Sequence, residues 1–263
     1  MKNIFIILII MLFSCEKSGS IFSGLEEQTA PLSGIFYVFE GWNEFMAQDY
    51  DRAQELFLAT LLVDEGSGTN YYDHAYAGLG WTATYRANGY IDTTKTYEEI
   101  SIIKKDLRDE AKNYFKSAHD FVNLKINLNQ LDSSLNQLDE IDLFLYQNIL
   151  VGEIFNLRYQ ALLKEDEFYT QGFNDEVWSD VLDYSQQIID ESVDFISRFE
   201  NYNFQYDEKR NVAQIRLLKV ESYILLGSIE SAVEEAVLIT DLDCGTSILS
   251  IEICLNTFFN PTE

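Results

Sequence analysis

Proline is almost absent from this chain of 263 residues, which has it only at Pro31 and Pro261. Because proline lacks a backbone N–H and its ring clashes with the preceding turn, it interrupts helices. The proline-free stretch 32–260 is therefore of the kind that long helices tolerate. Its length suits one large domain or two small ones.

Basic residues are also scarce, since 18 Lys and Arg stand against 44 Asp and Glu and give a formal net charge of −26. This charge repels phosphate backbones, which argues against a general nucleic-acid binder. Hydrophobic residues make up 47% of the chain, too many for a disordered acidic protein. We expect the acids to form the solvated faces of helices, and the alternative is that they attract a cationic partner.

Histidine is limited to His74 and His119, and neither belongs to an H-E-x-x-H pair. The chain also lacks the G-x-S-x-G, P-loop and G-x-G-x-x-G motifs, and its acidic runs lack the spacing of a calcium loop. We therefore expect no catalytic residues, no metal and no cofactor, and we interpret the protein as a non-enzyme.

Long apolar runs are missing apart from residues 4–13 near the start of the chain. A helix that spans a bilayer needs roughly 20 apolar residues, so this run fits the core of a signal peptide instead. It leads into Leu12-Phe13-Ser14-Cys15, which resembles the lipobox of bacterial lipoproteins. The resemblance implies a signal peptide over residues 1–14 and a lipid attached to Cys15, followed by a flexible tether over residues 15–33. The alternative is an ordinary signal peptide in which Cys15 has no special role.

Two further cysteines, Cys244 and Cys254, lie beyond the last predicted helix, in a tail over residues 244–263 that we expect to cap the fold. An exported protein meets an oxidising compartment, where a disulfide between them would close a short loop. The alternative is a pair of free thiols. Their spacing, with no histidine nearby, does not fit a metal site.

Apolar residues recur at helical spacing through most of the proline-free stretch, and no convincing strand pattern interrupts them before residue 247. Glycine-rich and polar breaks separate the periodic segments. The sequence therefore predicts an all-α fold of about eight helices with irregular loops, at residues 34–48, 50–63, 73–87, 97–122, 140–164, 175–199, 208–226 and 229–240.

A repeated pattern links two parts of the chain: a glycine precedes a tryptophan, and a later helix carries A-x3-F-x2-small. The repeated positions are Gly41, Ala53 and Phe57, then Gly80, Ala111, Phe115 and Ala118, with a weaker third copy at Gly227 and Ala232. These residues resemble the tetratricopeptide repeat, in which small residues let two helices approach closely and aromatics fill the gap between repeats. The resemblance implies an antiparallel helix-pair solenoid over residues 34–243. The alternative is an irregular helical bundle.

A strip of large side chains would follow the first helix of each pair if the repeats stack. Its members are Trp42, Phe45, Met46, Trp81 and Tyr85. On a concave wall, such a strip could bind an extended peptide or the face of a sugar. The alternative, which we favour, is that these rings pack helix against helix.

The two family resemblances together imply a lipid-anchored scaffold or binding protein of the bacterial cell envelope, placed at the outer membrane and acting through protein–protein contacts. The second hypothesis is the capture of a glycan or small ligand by the aromatic strip. We expect a membrane contact through the lipid, an envelope protein as partner, and no nucleic acid.

Overall fold

The computed structural model describes residues 33–63, 71–128, 140–207 and 210–239. These ranges contain eight α-helices and no strand, which confirms the all-α prediction. The helices are α1 (Gly34–Met46), α2 (Tyr50–Val63), α3 (Tyr72–Gly89), α4 (Tyr97–Leu128), α5 (Glu140–Gln171), α6 (Asp175–Arg198), α7 (Val212–Leu225) and α8 (Ile229–Val237). None of them combines the length and the apolar character needed to cross a bilayer.

Several predictions from the sequence concern segments outside the described residues. The lipobox with Cys15, the tether, and the tail with Cys244 and Cys254 all lie there. The signal peptide, the lipid, the disulfide and the capping role of the tail therefore stay predictions.

The helices pack as a helix-pair repeat with two layers. Each helix contacts the next one along the chain, and further contacts join α1 to α3, α3 to α5 and α5 to α7. No comparable contact joins two even-numbered helices within the described part of the chain. The odd-numbered helices therefore form one layer, and each even-numbered helix lies between two of them.

The repeat in the sequence is a packing arrangement in which a phenylalanine ring lies between two glycines. Phe57 of α2 lies between Gly41 of α1 and Gly78 of α3, where an added Cβ would approach its ring to 2.7 and 2.4 Å. Phe115 of α4 lies between Gly80 of α3 and Gly152 of α5, with corresponding distances of 2.7 and 2.3 Å. Both rings are fully buried, and so are the small residues Ala53, Ala111 and Ala118. Glycine is required at these positions because the ring occupies the space of a side chain.

Replacing Gly78 with alanine should lower the free energy of unfolding by about 1–3 kcal/mol, the usual cost of overpacking a core. Gly89→Ala in the same helix is the matched control, since nothing lies within 4 Å of its added Cβ. It should leave stability unchanged or raise it, because alanine is the better helix former. Urea unfolding followed by circular dichroism compares the two variants. Equal urea midpoints for the two variants would contradict the conclusion that the Phe57 ring leaves no room for a side chain at position 78.

Gly227, the glycine of the weaker third copy, has a different role from Gly41 and Gly80. It follows α7 at φ 73°, and nothing lies within 4 Å of an added Cβ. The Ser228 amide donates to Tyr223 O at 2.8 Å and the Gly227 amide to Ile224 O at 3.0 Å, which is a Schellman cap. Gly227 therefore ends a helix, while Ala232 does keep its predicted small, buried position in α8.

Two buried charge networks hold the C-terminal helices together. Arg158 of α5 donates to both carboxylate oxygens of Glu221 in α7, at 2.6 and 2.5 Å, and to Glu165 at 3.0 Å. Lys219 of α7 reaches Glu235 of α8 at 2.5 Å. Ion pairs with this little exposure fix relative helix positions, because a charge left without its partner would be costly.

Candidate functional site

The structure brings four members of the predicted aromatic strip together. The ring centroids of Trp42 and Phe45 are 5.4 Å apart, and the ring centroids of Phe45 and Tyr85 are 5.0 Å apart. Trp81 lies 6.2 Å from Tyr85 on α3. Met46 does not join them, and 49% of it is exposed. The strip therefore exists on the odd-numbered layer, at the contact between α1 and α3.

The strip is not open, because the loop between α6 and α7 covers it. Phe204 stacks on Trp81 with their ring centroids 4.6 Å apart. Tyr206 stacks on Trp42 with centroids 4.1 Å apart and the rings nearly parallel. Trp42, Phe45 and Trp81 are left only 5%, 3% and 0% exposed. The prediction of an accessible concave binding groove is therefore wrong for these residues. They pack in the core, as the alternative interpretation held.

Polar contacts fix this loop, described at residues 199–207 and 210–211, against α3 and α5. The Tyr85 hydroxyl donates to Asp207, and Arg210 Nε donates to the Tyr85 hydroxyl at 3.3 Å. The Arg210 guanidinium also lies 4.3 Å from the centre of the Phe155 ring on α5. Burial is the main cause that raises the pKa of Tyr85 above its ordinary value, so its hydroxyl stays protonated and able to donate.

Asn148 of α5 adds a second polar anchor for the same loop. Its side-chain oxygen accepts a hydrogen bond from the Tyr202 hydroxyl at 2.8 Å. Its backbone oxygen accepts one from the Trp81 indole at 3.2 Å. The loop therefore satisfies buried polar groups as well as covering aromatic rings. Sequence reasoning missed it, although its aromatic content was visible: Phe199, Tyr202, Phe204 and Tyr206.

Four aromatic side chains form a second group at the turn from α5 to α6. We call it the turn cluster: Phe168, Tyr169, Phe173 and Trp178. The Phe168 ring lies 5.2 Å from Phe173 and 4.9 Å from Trp178. Unlike the strip, this cluster has two exposed members, Tyr169 at 63% and Phe173 at 74%, while Phe168 and Trp178 are half-buried. It is therefore an aromatic group that a partner could reach.

Local backbone structure presents the turn cluster. Gly172 follows α5 with φ 90°, and the Phe173 amide donates to Phe168 O at 3.1 Å. This is a helix cap of the Schellman type, which commonly includes an apolar contact between the two residues that it joins. Phe173 itself has a φ of 27°, rare for a residue with a side chain. Asn174 then caps α6 by accepting from the Glu176 amide at 3.0 Å.

Acidic residues surround the turn cluster. Tyr97 of α4, itself exposed, donates from its hydroxyl to Asp166 at 2.9 Å. Lys164 bridges α5 and α6 by pairing with Glu167 and Asp180, both at 3.1 Å. Two exposed carboxylates, which we call the rim of the turn cluster, lie at the start of α6: Asp175 and Glu176. Exposed rings with carboxylates around them can take part in both apolar and cation–π contacts.

Metal-ligating groups do not gather in the described ranges, where no set of three His, Cys, Asp or Glu could hold an ion. His119 contacts Glu153 at 3.2 Å, and this hydrogen bond is the main cause that raises the histidine pKa. The pair joins α4 to α5.

No protein-family model, curated protein or solved structure matches the chain.

Proposed function

We propose that the protein is a lipid-anchored scaffold of the bacterial cell envelope, at the outer membrane, which holds a protein partner through its helical array. The lipobox resemblance at Cys15 supplies the anchor in this proposal. The helix-pair fold supplies a rigid support. The observation that carries the binding role is the turn cluster, in which two aromatic rings, Tyr169 and Phe173, remain exposed.

A protein partner fits the turn cluster for two reasons. Aromatic side chains are enriched at protein interfaces and supply much of the binding energy there. The cluster also lies at a helix–helix turn stiffened by caps at both sides, so little conformational order has to be gained on binding. The glycan-capture hypothesis loses its support, because Phe204 and Tyr206 cover the strip on which it depended.

A photo-crosslinking residue placed at position 173 tests the proposal in intact envelopes. Benzoylphenylalanine keeps an aromatic ring there, and we expect it to trap one discrete protein species. The same residue at Leu62, exposed on α2, is the control and should trap none. The Cys15→Ala variant should lose both the fatty-acid label and the crosslink, because the chain is no longer held at the membrane. Equal crosslinking at positions 173 and 62 would reject the docking role.

A further inference from the structure

The charge around the turn cluster is strongly one-sided. Residues 164–180 contain six acids and a single base, Lys164. Glu165 points to Arg158, and Lys164 is already shared between Glu167 and Asp180. Within the described residues no ion pair involves Asp175 or Glu176, which lie two and three residues after Phe173 and are exposed. The rings are therefore bordered by carboxylates that a partner can reach.

We propose that the segment that docks on the turn cluster is basic, an extended peptide whose Lys or Arg side chains lie over Tyr169 and Phe173 and pair with Asp175 and Glu176. This inference rests on the proposed function and names the chemistry of the partner. Ring faces carry partial negative charge and attract a cation within about 6 Å of the centroid. A carboxylate beside the ring attracts the same cation, so both features select one kind of ligand.

Helix geometry favours the two carboxylates where they are. Asp175 and Glu176 lie in the first turn of α6, where the partial positive charge of the helix end stabilises anions. The net charge of −26 would further steer a basic segment toward the protein.

A membrane surface is a poorer occupant of the turn cluster. Tyrosine and tryptophan do favour the membrane interface, but basic side chains are what draw proteins to anionic lipids. Here the rim is acidic, so an anionic bilayer would repel it. The charge complementarity points to a protein segment.

Crosslinking from position 173 in the full-length, lipid-anchored protein also tests this inference. The rim variant Asp175→Asn/Glu176→Gln should lower the yield at least about five-fold, and 0.3 M salt should do the same to the wild type because it screens the ion pairs. The control Glu230→Gln/Glu234→Gln removes the same charge from exposed positions on α8 and should not change the yield. The peptide recovered with position 173 should contain Lys or Arg.

Three outcomes would overturn the inference, and they differ in whether the proposed docking function also fails. A rim variant that crosslinks like wild type, while Tyr169→Ser loses the product, shows apolar docking and leaves the proposed function standing. Crosslinking to lipid instead of protein shows a membrane contact and overturns the basic peptide. A chain with benzoylphenylalanine at position 173 and no other change that traps nothing refutes the docking function itself. Circular dichroism of each variant checks that the exposed substitutions leave the fold intact.

Discussion

Replacing Phe204 with alanine should lower the free energy of unfolding by about 3–5 kcal/mol, the range for truncating a buried aromatic residue. The ring is completely buried although it belongs to a loop. It stacks on Trp81 and also packs edge-to-face with Trp42 and Phe45, with ring centroids 6.1 and 6.4 Å away. Its removal would leave a cavity at the contact between the first and third helices.

Urea unfolding of the Phe204→Ala variant measures this effect, with circular dichroism and tryptophan fluorescence as two probes. Phe173→Ala makes the same chemical change at a ring that is 74% exposed, and it should alter stability by less than about 0.5 kcal/mol. A loss as small for Phe204→Ala as for Phe173→Ala would mean that the Phe204 ring adds nothing to the core. That result would restore the aromatic strip as an accessible surface.

Replacing Arg158 with methionine should cost about 3–5 kcal/mol at pH 7.5, because two carboxylates would lose their shared cation. The Arg158 side chain is only 8% exposed, and those of Glu165 and Glu221 are 20% exposed. Methionine fills much of the same volume, so the loss reports charge more than packing. Arg52→Met, which breaks an exposed pair with Glu55, should cost no more than about 1 kcal/mol.

The Arg158→Met deficit should shrink as the pH falls. Burial is the largest cause that already raises the pKa of Glu165 above its ordinary value, and Arg158 opposes it. Without Arg158 that pKa rises further. A carboxyl with a higher pKa in the folded state takes up a proton on folding, so its folding penalty is present at high pH and disappears toward about pH 4.3. Urea titrations at pH 7.5 and 5.5 test this, and a deficit independent of pH would contradict it.

Local patterns were enough to predict the helices, because apolar periodicity and helix-breaking residues act over short stretches of chain. They also identified the glycines at positions 41 and 80, since a recurring glycine and phenylalanine reflect direct packing. The same reasoning did not distinguish the role of Gly227, because a capping glycine and a packing glycine look alike in sequence. Only backbone conformation separates them.

The exposure of the aromatic residues could not be predicted, because it depends on contacts between distant parts of the chain. Trp42 and Trp81 are covered by Tyr206 and Phe204, which lie outside any helix and have no periodicity to indicate a partner. The turn cluster is exposed for a local reason, the cap at Gly172. Its position between two predicted helices was visible, but the extension of α5 to Gln171 was not.

The loop between α6 and α7 has a consequence for how the protein folds. In a simple helical array each repeat contacts only its neighbours, so the ends can fray and unfolding can proceed piecewise. Here Asp207 bonds to Tyr85, 122 residues earlier in the chain, and Tyr206 stacks on Trp42 of the first helix. Closing such long connections slows folding but makes the early and late helices depend on each other. The array should therefore unfold in one cooperative transition, and truncation at either end should destabilise the whole molecule.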